Sequence, residues 1–313
     1  MSTSSIKFAD VPMALAPPPA AHPPTPKVAI VSSLCLHYEC IGFICEMFRH
    51  AAAIGIYFNG ERFGWVPYFA YHAGFNNVFI GEPRRGEELQ NWLWHDYDII
   101  IKLTAGDPVI DTNRPEIYAR YRDKLYGILH IAEYKMPEKY ITISPFVKCD
   151  LETCYYVLPV YNGITVASRD REPMILYVGH IDRFDEDLRN FISRVNYKVV
   201  FCSPAHHRPA DFNHPNMVFL GNVSTTQLIE LISRCWFILG KNPRYCLMDR
   251  FNGAITLSLS YKKPMIVGRA IQEAYKMPGI VFEENYCETV DFLNSLTKHT
   301  SKPATKAKPF LMG

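Results

Sequence analysis

Small residues at one point in the second half of the chain could hold a phosphate group. Gly253, Ala254, Ile255 and Thr256 open a short stretch of helical composition. The first turn of a helix offers amide hydrogens and the positive end of the helix dipole, and a glycine lets an anion approach the backbone closely. The pattern therefore predicts a phosphate site, although a glycine can serve loop geometry alone and Thr256 can satisfy its own backbone.

Further residues of the second half could complete such a site. Asp249 precedes the glycine helix, where a carboxylate can accept hydrogen bonds from the hydroxyls of a ribose or another sugar. Gly179 permits a tight turn after a strand, and Gly221 ends a later strand. Basic side chains that could reach a diphosphate lie nearby: His180, Arg183 and Arg244. An exposed arginine without a ligand is nevertheless the commoner case.

Acidic residues and histidines that follow strands in the first half could take a proton from a hydroxyl group. His37 and Glu39 lie between an apolar run at 28–31 and the helix after it, and Asp107 follows another apolar run. Imidazole and carboxylate groups are common general bases in enzymes. Each of these residues could equally cap a helix or hold a core hydrogen bond, and only one of them need act as the base.

The elements that must position these residues alternate between strand and helix. Apolar runs typical of buried strands occur at 28–31, 77–80, 97–102, 126–131 and 140–144, then at 174–178, 197–202, 217–220, 236–239 and 264–267. Helical segments lie between them, and parallel strands need such crossover connections. We therefore predict an α/β protein whose ligands bind outside the carboxyl ends of parallel strands.

The length of 313 residues favours two domains rather than one. We predict a first domain at 28–160, a second at 174–285 and a closing helix at 286–299. The linker between the domains contains Asn162-Gly163 and a charged stretch. Residues 1–27, which are polar and rich in proline, and residues 300–313 are expected to be disordered tails.

Composition excludes several classes of function. The net charge is only +2 and the basic residues are scattered, so no nucleic-acid partner is expected. Nine cysteines without a Cys-x-x-Cys pair indicate reduced thiols, and the histidines at 206, 207 and 214 lack carboxylates at ligand spacing, so no metal site is predicted. No apolar run could span a bilayer, which favours a cytoplasmic protein. Neither a Gly-x-Gly-x-x-Gly fingerprint nor a P-loop is present.

The order of segments in the second half carries a resemblance. The strand and glycine at 178–182, the Phe-x-Gly segment at 218–224, the helix from Thr225, the strand at 236–239, the small-residue helix at 253–257 and the Lys-Pro strand at 263–267 follow one another. This succession resembles the donor domain of GT-B glycosyltransferases. The resemblance covers about 174–298 well and 28–150 in general pattern. It implies two Rossmann-like parallel-sheet domains facing a cleft.

The resemblance also implies a function. A nucleoside diphosphate sugar would bind the second domain, and an acceptor hydroxyl, expected to belong to a glycan, would bind the first. Retaining members carry two acidic residues eight positions apart; here Asp249 fills the first position and Leu257 the second, so an inverting transferase is expected. Protein groups alone are expected to hold the diphosphate, so no metal or other cofactor is expected. The alternatives are a catalytically inactive GT-B-like binding protein and a sugar-nucleotide epimerase.

Overall fold

The computed structural model describes residues 25–32, 39–58, 76–80, 94–107, 109–110, 114–130, 139–143, 154–156, 172–179, 181, 184–203, 205–221, 223–241 and 253–300. Within these ranges the chain forms two separate parallel sheets, one from residues 27–156 and one from 174–282.

The first sheet has seven strands in the order β3-β2-β1-β4-β5-β6-β7. Its strands are β1 (Lys27–Ser32), β2 (Ala53–Phe58), β3 (Val78–Ile80), β4 (Ile99–Lys102), β5 (Leu125–Leu129), β6 (Lys139–Thr142) and β7 (Cys154–Tyr156), and its described α-helices are α1 (Glu39–Met47) and α2 (Pro115–Tyr121). All of its strand pairs are parallel. Residues 28–31 of β1 are 0% exposed, because helices and loops cover both faces of the sheet.

The second sheet has six strands in the order β10-β9-β8-β11-β12-β13, again paired in parallel. Its strands are β8 (Met174–Val178), β9 (Lys198–Cys202), β10 (Met217–Phe219), β11 (Phe237–Leu239), β12 (Met265–Gly268) and β13 (Gly279–Phe282). Its helices are α3 (Glu186–Arg194), α4 (Thr225–Arg234), α5 (Gly253–Ser260), α6 (Arg269–Tyr275) and α7 (Val290–Thr300). The prediction of an α/β protein with two parallel-sheet domains is confirmed.

Helix α4 shows how local sequence sets an element's start. Ser224 is its N-cap: the Ser224 hydroxyl accepts a hydrogen bond from the Gln227 amide, and the Gln227 side chain accepts one from the Ser224 amide. This reciprocal capping box satisfies amide hydrogens that the helix itself cannot. At the other end, the buried Lys263 ammonium donates to the carbonyl oxygens of Ser233 (2.8 Å) and Cys235 (3.0 Å), where the helix dipole is negative.

The two domains touch through elements that adjoin the carboxyl ends of the strands. Helix α1, which follows β1, contacts α5. Ile229 of α4 belongs to the same apolar cluster as Ile41 and Ile44 of α1. The Tyr275 hydroxyl donates to the carbonyl oxygen of Ile143, just beyond β6, at 3.4 Å. The closing helix α7 stays on the second domain, where Tyr197 donates to the carbonyl oxygen of Leu293.

Buried cysteines make one prediction about reactivity. Burial raises the pKa of Cys45 and of Cys202 to about 12. Near pH 8 only about one such thiol in ten thousand is ionised, and the thiolate is the reactive species. We expect both cysteines to resist iodoacetamide in the folded protein and to react after denaturation, as read by peptide mass spectrometry. The half-buried Cys287 should be alkylated sooner; alkylation of Cys45 or Cys202 as fast as in urea would contradict this.

Candidate functional site

The strand orders locate the crevice of each domain. In the first sheet the chain winds outward in opposite directions from the neighbours β1 and β4, and in the second from β8 and β11. Ligands of open α/β sheets bind beside the carboxyl ends of the strands at such switch points. Ser32 and residues 103–107 lie there in the first domain, and residues 179–181 and Gly240 in the second.

At the first switch point, buried polar groups tie β1 to the loop after β4. The Ser32 hydroxyl donates to one carboxylate oxygen of Asp107 at 3.2 Å, and the Val109 amide donates to the other at 2.9 Å. The Lys102 ammonium donates to the carbonyl oxygens of Asp107 (3.2 Å) and Ile110 (3.5 Å). Ser32 and Lys102 are 0% exposed and Asp107 is 1% exposed. The cluster fixes the loop, because buried polar groups are stable only when hydrogen-bonded.

The neighbouring strand adds a histidine to this edge. The buried His130, directly after β5, has its Nε2 atom 2.7 Å from the carbonyl oxygen of Leu103. The carboxyl ends of β1, β4 and β5 are therefore joined by side-chain hydrogen bonds, and the floor of the crevice is rigid. Of the predicted bases, Asp107 has the geometry of a core hydrogen-bond partner. His37 and the side chain of Glu39, the first residue of α1, lie outside the described residues.

After two strands of the second sheet, β8 at the switch point and β10 at the edge, glycines adopt conformations that other residues rarely reach. Gly179 has a φ of +102° and Gly221 a φ of +70°. A Cβ atom at either position would meet nothing within 4 Å among the described residues, so backbone conformation rather than crowding requires the glycine. The Gly179 amide donates to the carbonyl oxygen of Cys202 at 3.0 Å. His180 and Arg183 lie outside the described residues.

Helix α5 contacts helix α1 of the first domain. Gly253 is half-buried, whereas Ala254, Ile255 and Thr256 are 3%, 3% and 0% exposed. The side chains of Ala254 and Ile255 pack in the core of the second domain. The Thr256 hydroxyl makes no hydrogen bond to any residue that the structure describes. The side chains of this first turn are therefore enclosed by protein, and the role of its backbone amides in holding a phosphate stays a prediction. Arg244 and Asp249 lie outside the described residues.

Comparison with known proteins identifies the architecture. No family model matches the chain, and neither does any curated protein sequence that was compared with it. Solved structures do match. A glycosyltransferase involved in avilamycin A biosynthesis is 12% identical, with 86% of this chain and 87% of that chain covered and a TM-score of 0.56. The glycotransferase of kitacinnamycin is 13% identical, with 90% and 92% covered and a TM-score of 0.50.

A third solved structure is an epimerase. It is a putative UDP-N-acetylglucosamine 2-epimerase from Listeria monocytogenes, 10% identical to this chain, with 88% of this chain and 89% of that chain covered and a TM-score of 0.50. All three matches span both sheets. The chain has the GT-B fold. The fold that the segment order predicted is thus confirmed. Sequence identities of 10–13% are evidence for the fold alone.

Sequence reasoning missed two residues that hold the segments beside these crevices. Lys102 was assigned to the end of an apolar strand, although it anchors the loop at 103–110. His207 was considered only as a metal ligand and set aside, although its Nδ1 atom accepts a hydrogen bond from the Ile181 amide at 3.0 Å. The partner of His207 lies 26 positions away, so no local pattern could have indicated it. The partners of Lys102 lie only five and eight positions along the chain, but an apolar run does not show that a lysine at its end is buried.

The described ranges contain no candidate for a membrane-spanning helix or for a metal site. No helix there is long and apolar enough to cross a membrane. Within the same ranges, no three side chains of His, Cys, Asp or Glu form a group that could hold a metal ion.

Proposed function

We propose that this protein is a glycosyltransferase that moves a sugar from a nucleoside diphosphate to an acceptor hydroxyl, in the cytoplasm and on a glycan. The observation that carries the proposal is the GT-B fold, in which α5 of the second domain contacts α1 of the first. Similar folds occur in the glycosyltransferase involved in avilamycin A biosynthesis and in the glycotransferase of kitacinnamycin. The second domain would hold the donor and the first the acceptor.

The chemistry requires a base, a group that stabilises the leaving diphosphate, and the exclusion of water from the cleft. A base takes the proton of the acceptor hydroxyl, whose oxygen forms a bond to the anomeric carbon as the bond to the diphosphate breaks. The diphosphate leaves with extra negative charge, which the first-turn amides and the dipole of α5 would stabilise. Closure of the two domains would exclude water and so limit hydrolysis of the donor.

The residues assigned to these steps are part of the proposal. His37, Glu39 and Asp107 are the candidate bases. The donor side comprises Gly179, His180, Arg183, Gly221, Arg244, Asp249, Gly253, Ala254, Ile255 and Thr256. We propose inversion at the anomeric carbon, because Leu257 stands where a retaining enzyme carries its second acidic residue. We also propose that protein groups suffice to hold the diphosphate without a metal.

The test measures binding and turnover separately. The protein is titrated with sugar nucleotides of different bases in a thermal-shift assay, and release of nucleoside diphosphate is then followed with and without glycan acceptors. Acceptor-dependent release that EDTA leaves unchanged, with an inverted anomeric configuration by NMR, is expected. Failure to bind any sugar nucleotide would overturn the proposal.

The epimerase is the second candidate, because the Listeria monocytogenes epimerase covers the chain as fully as the transferases do. An epimerase converts the sugar nucleotide without an acceptor. Proton NMR of the sugar nucleotide after incubation with the protein alone distinguishes the two: a new epimer would favour this candidate over a transferase. Binding without either reaction would favour the inactive binding protein.

A further inference from the structure

The loop between β9 and β10 holds the turn that follows β8. The turn begins at Gly179, whose amide donates to the carbonyl oxygen of Cys202 at the end of β9. Two residues later, the Ile181 amide donates to Nδ1 of His207 at 3.0 Å. Ile181 is 8% exposed and His207 is half-buried. The turn at the second switch point is thus bonded at both ends to the neighbouring strand and its loop.

The hydrogen bond defines the state of the imidazole. An amide nitrogen can only donate, so Nδ1 of His207 accepts and carries no proton; the ring proton sits on Nε2. An asparagine side chain can present its amide oxygen near the position of Nδ1, whereas alanine presents no acceptor. The hydrogen bond from Ile181 can therefore be removed and restored by substitution at one position.

The loop that carries His207 is itself bound firmly to α3. Arg189 donates to both carboxylate oxygens of Asp211 at 2.9 Å each. The Arg189 guanidinium also lies 5.4 Å from the ring centroids of Phe184 and Phe212. Farther along, the Asn216 side chain donates to the carbonyl oxygens of Ile192 (3.2 Å) and Val195 (2.7 Å). The loop that carries the acceptor atom Nδ1 of His207 is therefore held in place by its contacts with α3 and the residues that flank it.

We infer that His207 is a positioning residue for the nucleotide sugar. It fixes the backbone at Ile181, beyond the carboxyl end of β8, where the fold places the ligand crevice, and it touches no substrate itself. A turn that is already ordered costs a ligand less to bind than one that must be ordered on binding. This inference rests on the proposed function, because the ligand that the turn faces is the nucleotide sugar.

The test compares three variants of the full chain: His207→Ala, His207→Asn and His214→Ala. His214 lies on the same loop and its Nδ1 atom accepts from the Asn216 amide at 3.2 Å, but the amide it binds belongs to the loop and not to the turn. The probe is the nucleoside diphosphate that the unmodified protein binds most tightly among UDP, GDP, ADP and CDP. Calorimetry gives Kd, and hydrogen exchange without ligand gives the protection of the peptide that contains Ile181.

We expect His207→Ala to raise Kd about tenfold, which corresponds to about 1.4 kcal/mol, and to speed exchange at Ile181. His207→Asn should recover both properties to within about threefold, and His214→Ala should leave them unchanged. In the transferase assay the KM for the donor should rise with kcat nearly constant, because a merely destabilised fold would lower kcat as well.

Three outcomes would overturn the inference. One is a His207→Ala variant that binds the nucleotide as tightly as the unmodified protein. Another is an asparagine variant as weak as the alanine variant while both remain folded, and the third is an equal effect of His214→Ala. If the unmodified protein binds none of the nucleotides, the proposed function fails and the role of His207 in binding fails with it. The exchange rate at Ile181 would still report separately whether His207 holds the turn.

Discussion

Replacing Gly253 with aspartate is expected to weaken the binding of a nucleoside diphosphate sugar at least about 100-fold while leaving the protein folded. The carboxylate would stand at the start of α5, where the proposed site binds the diphosphate through first-turn amides. Two like charges about 4 Å apart repel by about 4 kcal/mol at an effective dielectric constant near 20, which exceeds the roughly 2.7 kcal/mol that a 100-fold loss requires.

The same substitution should not destabilise the fold, so a loss of ligand binding can be distinguished from a loss of stability. Gly253 is half-buried. The described glycines with positive φ are Gly106, Gly179 and Gly221, and Gly253 is not one of them. A side chain there is therefore compatible with the backbone. Aspartate near the start of a helix also interacts favourably with the dipole, by about 0.3–1 kcal/mol. The melting temperature without ligand is expected to stay the same or rise.

Gly253→Asn is the matched control. Asparagine has nearly the size and shape of aspartate and also suits the start of a helix, but it carries no charge. We expect its Kd to lie within about tenfold of that of the unmodified protein, since it adds bulk without like-charge repulsion. Equal losses in both variants would mean that bulk, not charge, is responsible. An unchanged Kd in Gly253→Asp would place the diphosphate elsewhere.

Much of this fold could be predicted because its strands have a recognisable local sequence pattern. The run at 28–31 is entirely apolar, as expected of a strand that both faces of a sheet bury, and it lies inside β1. Helix α4 begins and ends where its sequence predicts, since Ser224 and Gln227 form a capping box. The order of such elements along the chain was enough to identify two Rossmann-like sheets.

Elements without local signals were missed. Strand β2 contains Gly55, which weakens a strand pattern; the structure requires this glycine, because a Cβ atom there would lie within 2.8 Å of the side chains of Tyr57, Tyr97 and Phe79. Strand β13 has only four residues and begins with Gly279. Helix α6 follows β12 directly, and its N-cap residue, Gly268, has no side chain that could accept a hydrogen bond from the first turn. Tertiary packing, not propensity, decides these three elements.

The candidate site was predictable only where backbone conformation decides its residues. Gly179 and Gly221 stand out in sequence because they follow strands, and their positive φ explains the residue type. The hydrogen bond between Ile181 and His207 joins residues 26 positions apart, and its acceptor lies in a polar, proline-containing loop. Asp107 illustrates the opposite case: its sequence position suggested a base, and the fold gives its carboxylate two hydrogen bonds within the core.

Lys102→Ala is expected to destabilise the protein by about 3 kcal/mol or more and to lower its melting temperature by about 6–12 °C. Lysine is almost never fully buried unless its ammonium group is bonded, and Lys102 is 0% exposed. Its removal leaves the carbonyl oxygens of Asp107 and Ile110 without this donor and opens a cavity in the space of the lysine stem.

Two further variants separate the causes of this loss. Lys102→Met fills most of the cavity but supplies no donor, so it should recover the packing part of the loss, roughly half, and leave the hydrogen-bond part. Lys198→Ala removes a lysine that also donates to a carbonyl oxygen, that of Pro215, but in an exposed position where water replaces the bond. Its urea midpoint should stay close to that of the unmodified protein. If Lys102→Ala unfolds at the same urea concentration as Lys198→Ala, then Lys102 does not anchor the loop at 103–110. The strand ends at the crevice floor of the first domain would then be joined only by the described hydrogen bonds of Ser32, Asp107 and His130.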